Sequence, residues 1–319
     1  MNVSYLQVLR SHIGPMKIPL VYASACVEDA QGRLLWQRRA DFGCWGLPGG
    51  VLELKESLPA CVVREVYEET GLDVSPVRLV GVYSSPEFDV TYPNGDQVQQ
   101  VTFCFACRVV GGSLHPDNDE TLDLAWFAPD ARVETLPWYR AMVADLRARR
   151  PAASFAHGAE GMTSERVPYY PRVREYIGHA PLIFPAAAAV VQDEMGRVLL
   201  QLRRDDGCWS LPGGMLELGE RIDQTIAQEV CEETGIEVAP VRLIGAYSGP
   251  ELYHVYPNGD RAQSVAAVFA CRKVGGALHA DGVESRDVRF FSPEALPDLP
   301  AYYLHWIQDG LAGQAAAAF

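Results

Sequence analysis

Two tandem α+β domains are expected from this sequence, on three observations. Shifted by 164 residues the chain aligns with itself without a gap, Tyr5 to Pro129 on Tyr169 to Pro293, with about half the positions identical, which is the signature of a duplicated unit. Within each copy, short apolar runs are separated by strong turn signals, and one carboxylate-rich helix recurs at the same place in both. A chain of 319 residues is long enough for two domains that each bury a full core.

Each repeat opens with a leading segment of helical or extended character, Tyr5 to Gly14 and Tyr169 to Gly178. Strand candidates follow: VYASACVED before Gly32 and AAAAVVQDE before Gly196, each turning at Gly-Arg into LLWQRR or VLLQLRR. The carboxylate helix comes next, then VRLVGVYS or VRLIGAYS as a further strand. Both copies then carry YPNGD, at Tyr92 to Asp96 and Tyr256 to Asp260, where Pro-Asn-Gly marks a turn between strands. The strands QVTFCFACRVV and SVAAVFACRKV end in Gly-Gly, and an acidic loop and strand follow, LHPDNDETLDLAWF against LHADGVESRDVRFF. Helical spacing of Trp138, Met142 and Leu146 predicts a closing helix over Pro137 to Arg149, with YYLHWIQDGL as its counterpart in the tail. The stretch from Arg150 to Val167, rich in Ala, Gly, Ser and charge, reads as a linker. The expected division is therefore 1–149, a linker 150–167, and 168–319.

The chemistry is concentrated between Gly50 and Leu72, GVLELKESLPACVVREVYEETGL, and between Gly214 and Ile236, GMLELGERIDQTIAQEVCEETGI. Ser57 caps a helix over this stretch, Pro59 sits in its first turn and Gly71 ends it, with Leu58, Val62 and Val66 forming an apolar stripe. Glu65, Glu68 and Glu69 fall at i, i+3 and i+4 and so share a face, as do Glu229, Glu232 and Glu233. Three crowded carboxylates repel unless a cation offsets their charge, and hard oxygen donors without His or Cys favour Mg²⁺ or Mn²⁺. Arg64 precedes Glu65 and can fix its orientation, together with Glu56. In the second copy Gln228 stands at the arginine's position, which removes a positive charge and a two-pronged donor from beside Glu229. The loops ending in Gly49-Gly50 and Gly213-Gly214 bring bare backbone to whatever the cation holds.

Nine constrained positions over these 23 residues, matched throughout in the first copy and at all but Gln228 in the second, resemble the box of the Nudix hydrolases. The resemblance implies two tandem Nudix folds, each a mixed β-sheet sandwiched by helices, with the box as a loop-helix-loop. It implies metal-assisted attack of water on the pyrophosphate of a nucleoside diphosphate linked to another group. A further glutamate beyond the box often completes the site in this family, and Glu120, matched by Glu284, is the candidate; Glu87 and Glu251 are the alternative. Glu53 and Glu217 join the site or cap its loop. Arg39 and Arg203 are candidate phosphate clamps, Tyr92 and Tyr256 candidate stacking partners for a base, while His115 and His279 read as structural. The one departure, Gln228, leads us to expect most of the activity in the first half. Single-domain relatives often form homodimers, so the two halves are expected to pack as a covalent pseudo-dimer.

Composition narrows the partners. A net charge of −14, from 41 acidic against 27 basic residues, disfavours a grip on nucleic acid and leaves a small nucleotide as the expected substrate. No apolar run has signal-peptide or membrane-span length, so a soluble, cytoplasmic protein without membrane contact is expected. Cys104 and Cys107 would face opposite sides of a strand, and repeat two has Val268 where the first has Cys104, so buried structural thiols are favoured over zinc. One rival function is a nucleotide-sensing regulatory Nudix protein with a weak or inactive second domain; another is an isoprenoid diphosphate isomerase. Neither Pro86 nor Tyr92 lies at a clean offset for an ADP-ribose or dinucleoside-polyphosphate signature, so the sequence leaves the substrate open.

Overall fold

The computed structural model describes residues 3–116, 120–158 and 165–319. The leading segment of the first half is a helix, α1 (Tyr5–Ile13), because Ser4 caps it: the Gln7 N–H donates to the Ser4 hydroxyl at 3.2 Å and the Gln7 side chain accepts from Ser4 in return. The strands β1 (Ile18–Glu28), β2 (Leu34–Arg39), β3 (Trp45–Gly46) and β4 (Gly49–Val51) precede the carboxylate helix α2 (Leu58–Thr70). After it come β5 (Leu72–Tyr83), β6 (Val90–Thr91), β7 (Gln97–Gly112), β8 (Thr121–Phe127) and the closing helix α3 (Pro137–Ala148).

The second half repeats the plan. It begins with α4 (Tyr170–Ile177), β9 (Leu182–Val191), β10 (Val198–Arg203), β11 (Trp209–Ser210) and β12 (Gly213–Met215), which lead into α5 (Ile222–Thr234). Strands β13 (Ile236–Tyr247), β14 (Tyr253–Val255), β15 (Arg261–Gly276) and β16 (Ser285–Phe291) and the helix α6 (Ala301–Ala312) complete it. No described helix is long and apolar enough to cross a membrane.

In each half the sheet is mixed. β1 runs parallel to β7 and β7 antiparallel to β5; β9, β15 and β13 repeat this arrangement. β4 and β12 pair antiparallel with β1 and β9, which holds the Gly-Gly loops over the sheet beside the helix. In the first half β2, with β3 and β8 beside it, continues the sheet from the end of β1, whereas in the second β10 with β11 and β16 forms a separate three-stranded sheet; α2 and α5 contact strands of both groups. A main core joins residues of both halves, from Leu58, Val62, Val66 and Phe103 to Ile222, Ile226, Val230 and Phe269, while smaller cores lie under α3 and α6. Cys104 and Cys107 do face opposite sides, Cys104 with its sulfur 3.6 Å from that of Cys26, and all eight cysteines are free thiols.

The repeat extends past the stretch that aligns by identity. Ser154, within the segment 150–167, exchanges backbone bonds with Val80 and Val82 at 2.9 and 2.8 Å, and Ala318 does the same with Ile244 and Ala246 at 2.9 and 3.0 Å. Gly81 permits this approach, since a Cβ there would collide with the Ser154 carbonyl. Phe155 then lies edge-on to Phe269 of the second half at 5.2 Å, and Phe319 lies edge-on to Phe105 of the first at 5.3 Å. Further bonds cross between the halves in matched pairs. The Leu58 N–H donates to the Ser248 hydroxyl at 2.7 Å and the Ile222 N–H to the Ser84 hydroxyl at 2.9 Å, so each carboxylate helix begins on a side chain of the other half.

Candidate active site

α2 starts at Ser57, whose hydroxyl accepts from Ala60 N–H at 3.3 Å, and stops at Gly71, which takes the left-handed conformation at φ 72°. Leu58, Val62 and Val66 are fully buried, which turns the carboxylate face toward the β4 loop. Arg64 organises that face. Its Nε and Nη2 donate to the two oxygens of Glu56 at 2.8 and 2.9 Å, and its Nη1 donates to Glu65 at 2.7 Å and Glu68 at 3.1 Å. Glu69 is buried, accepting from Gln37 Nε2 at 2.8 Å and from the Gly49 N–H at 2.7 Å. Gly50 is bare by necessity, because a Cβ there would collide with the Glu65 carboxylate. Burial pushes Glu65 up to about 7 against the pull of Arg64, and Glu69 up to about 8 against the pull of Gln37.

The other candidates fall into two groups. Glu120 is close enough for its charge to raise Glu65 further, and its carbonyl accepts from Ala40 N–H at 2.9 Å. Arg39 and Tyr92 line a cleft beside Gly49, with Arg39 in a two-pronged pair with Asp41 at 3.0 and 2.6 Å. Glu53, in contrast, is spent on the fold: its carboxylate accepts from the Tyr5 N–H at 2.9 Å and so anchors α1, as Glu217 does for Tyr169 at 3.0 Å. Glu87 lies in the turn Pro86–Phe88 near Arg221 of the second half, and Glu251 takes the matching turn Pro250–Leu252. His115 and His279 close the ends of the carboxylate helices, their N–H groups donating to Thr70 and Thr234 carbonyls at 2.9 Å.

The second site has the same frame. Glu233 accepts from Gln201 Nε2 at 2.7 Å and from Gly213 N–H at 2.8 Å, and a Cβ on Gly214 would collide with Glu229. Burial raises Glu229 to about 7 and Glu233 to about 8, with the charge of Glu284 adding to both. Gln228 turns along its helix to donate to Glu232 at 2.6 Å. The expected loss of positive charge beside Glu229 does not occur. Arg166 enters from the segment before α4 and donates through Nη2 to Glu229 at 2.6 Å and through Nη1 to Glu232 at 3.1 Å, with its Nε 3.3 Å from a Glu220 oxygen.

Sequence reasoning missed Arg166, and also Gln37 and Gln201, which fix the innermost carboxylates. A polar residue repeated inside two apolar strands, LLWQRR and VLLQLRR, was the available signal for the glutamines. For Arg166 no local signal exists, since its partners lie more than 50 residues away.

The clefts beside the two sites differ in room. In the first half Tyr22, Phe42, Tyr92, Trp138 and Tyr139 leave ≈ 20 Å³. Phe42 packs on Tyr92 with ring centres 5.5 Å apart, and the Tyr22 and Tyr92 hydroxyls meet at 3.1 Å. In the second half Ala186 and Asp206 stand where Tyr22 and Phe42 stand in the first, and a cavity of ≈ 490 Å³ opens among Arg203, Trp209, Tyr256, Tyr302, Tyr303 and Glu284. That volume is within the range of small-molecule sites.

In chemical type the donor set suits a hard divalent cation: the acidic side chains turned toward each Gly-Gly loop are carboxylates, whose proton affinity is raised by burial first and by neighbouring carboxylates second. In arrangement, Arg64 and Arg166 bridge the carboxylates, and among the described residues no three acidic, His or Cys groups stand within reach of one ion.

The sequence profile of the NUDIX domain matches residues 19–146 and again residues 183–309. A MutT-like protein of Streptomyces ambofaciens is 39% identical over 110 residues, which cover 34% of this chain and 64% of that protein. An ADP-ribose pyrophosphatase of Methanocaldococcus jannaschii is 31% identical over 121 residues, 37% of this chain and 68% of that one. An NAD-capped RNA hydrolase of Vibrio atlanticus is 33% identical over 122 residues, 38% of this chain and 42% of its own. The matches thus span from under half to about two thirds of these relatives. Among solved structures, an ADP-ribose pyrophosphatase from Streptococcus suis is 25% identical with a TM-score of 0.34, over 43% of this chain and 97% of that one.

Proposed function

Since the chain belongs to the NUDIX domain family in both of its halves, we propose that it hydrolyses the pyrophosphate of a nucleoside-diphosphate-linked small molecule. The observation that carries this reading is the pair of carboxylates, half-buried Glu65 and buried Glu69, turned toward bare Gly49-Gly50 backbone, and repeated as Glu229 and Glu233 at Gly213-Gly214.

Members of the family work with a divalent metal ion, and Mg²⁺ or Mn²⁺ is proposed here. Glu65, Glu68, Glu69 and Glu120 would hold it in the first half, and Glu229, Glu232, Glu233 and Glu284 in the second. When bound, such a cation withdraws charge from the pyrophosphate oxygens and the leaving phosphate. Arg64 keeps the Glu65 carboxylate in one orientation. A carboxylate of the cluster, Glu120 or a box glutamate, takes the proton of the attacking water. Arg39 and Arg203 contribute charge to the phosphates, and Tyr92 and Tyr256 a face to the base.

The ground for placing most turnover in the first half was the missing guanidinium at Gln228. Arg166 removes that ground and the roomier cavity lies in the second half, so activity is proposed at both sites. The matched bonds between halves support packing as a pseudo-dimer. The names of the relatives make ADP-ribose the first substrate to try. In an assay with Mg²⁺ and Mn²⁺ over ADP-ribose, dinucleoside polyphosphates, nucleotide sugars and oxidised nucleoside triphosphates, Glu65→Gln and Glu229→Gln should each lower turnover in the full chain and abolish it together. Undiminished turnover in the double variant would sink the proposal.

A further inference from the structure

The second carboxylate cluster is held by a side chain that its own helix does not carry. In the first half Arg64 lies between Glu56, Glu65 and Glu68; in the second, Arg166 lies between the matching Glu220, Glu229 and Glu232. Both arginine side chains are 30% exposed, so the two guanidinium groups sit at equal depth although they arrive from opposite directions in the chain. Gln228 leaves the space free by turning toward Glu232.

Arg166 is placed by backbone. Its neighbour Val167 exchanges two bonds with Leu218, at 3.0 and 3.2 Å, in the loop that leads into α5. That loop also presents Glu220, buried at 5% exposure, one of whose oxygens accepts from Thr225 at 3.0 Å and from the Glu217 N–H at 3.1 Å. The other Glu220 oxygen has no hydrogen-bond donor and faces the Arg166 Nε. A buried carboxylate oxygen without a hydrogen bond is costly unless a cation stands opposite it.

We infer that Arg166 is the positioning residue of the second site, taking over from the connection between halves the task that Arg64 performs from within the helix, and that the second site is thereby complete. This rests on the hydrolase reading above. An amide at position 228 is sufficient because the guanidinium is supplied elsewhere. Orientation of Glu229 by Arg166 then sets the affinity of the second cluster for its cation, and support of this kind is worth about 10- to 100-fold when removed.

The test uses the full chain with the first site silenced by Glu65→Gln, Mn²⁺ binding read by the signal of the free ion, and ADP-ribose hydrolysis as the second readout. Arg166→Gln should weaken Mn²⁺ binding at the second site and lower kcat, each about tenfold or more, with KM little changed. Adding Gln228→Arg to Arg166→Gln should restore both, which a merely structural arginine in the connection would not allow. Mn²⁺ binding unmoved by Arg166→Gln, or a folded double variant without recovery, overturns the assignment. Mn²⁺ binding that depends on Arg166 in a chain that hydrolyses nothing supports the assignment and overturns the hydrolase reading instead.

Discussion

The Gly219 N–H donates to the side-chain oxygen of Gln99 at 2.8 Å, across the boundary between the two halves. The same side chain gives its amide hydrogen to the Glu220 carbonyl at 2.7 Å, and Gln263 repeats the arrangement on Lys55 N–H and the Glu56 carbonyl at 2.5 and 3.1 Å. Each half thus grips the loop that precedes the other's carboxylate helix.

Loss of this grip should cost both stability and catalysis. Gln99 is fully buried, so Gln99→Ala removes two bonds and strands two backbone groups, about 2–4 kcal/mol in all. Urea denaturation should show that loss, and turnover in a Glu65→Gln background should fall with it, because Gly219 and Glu220 shape the second site. Unchanged stability would mean that the two loops stand without the cross-boundary bonds.

Gly50→Ala should disable the first site while leaving the fold intact. The added methyl meets the Glu65 carboxylate, which must move by roughly an ångström, and a displacement of that size costs about 100-fold in rate. Gly214→Ala should do the same through Glu229. Normal turnover by Gly50→Ala in a Glu229→Gln chain would show that the position of Glu65 is not critical.

Without metal, stability should fall as pH rises. Glu65 and Glu229 titrate near 7 in the folded protein, and Glu69 and Glu233 near 8, above the ordinary carboxylate value. The folded state therefore holds protons that the unfolded chain has released, so the stability present below about pH 4.5 is lost as pH climbs through 7 to 8, on the order of a few kcal/mol. Thermal melts in EDTA from pH 5 to 8 should show the decline, and Glu69→Gln should flatten it. Mn²⁺ at pH 8 should restore stability by binding only the folded form. A melting temperature that rises over this range in EDTA contradicts the assigned shifts.

Cleft size should govern substrate affinity more than rate. Ala186→Tyr places in the second cleft the ring that Tyr22 contributes to the first, and in a Glu65→Gln chain it should raise KM for ADP-ribose about tenfold with kcat little altered. Tyr22→Ala with Phe42→Asp should lower KM at the first site, measured in a Glu229→Gln chain. Equal KM values before and after both changes would separate these clefts from substrate binding.

What could be read from the sequence was what depends on neighbours along the chain. Ser57, Pro59 and Gly71 bracket α2 because caps act within one turn, and Trp138, Met142 and Leu146 disclose α3 by spacing alone. The leading segments, open between helix and strand in the sequence, are helices once Glu53 and Glu217 reach the N–H groups of Tyr5 and Tyr169. That role for the two glutamates was invisible because it joins positions 48 residues apart. Ser154 was hidden for another reason: it pairs with Val80 and Val82 through backbone, to which composition is blind. The carboxylates of the site were legible because three of them crowd one helix face, whereas the guanidinium that holds the second set arrives from a stretch with no periodicity.

Arg166 has no arginine counterpart in the first repeat, where the position 164 residues earlier is Asn2. Arg166 and Gln228 accordingly form an interdependent pair on two separate segments of the second half. With Arg166 in the connection an amide at 228 is tolerated; without it the same amide leaves Glu229 and Glu232 with no guanidinium between them. A second half cut free of the connection would therefore be handicapped by the cut and not by its own helix.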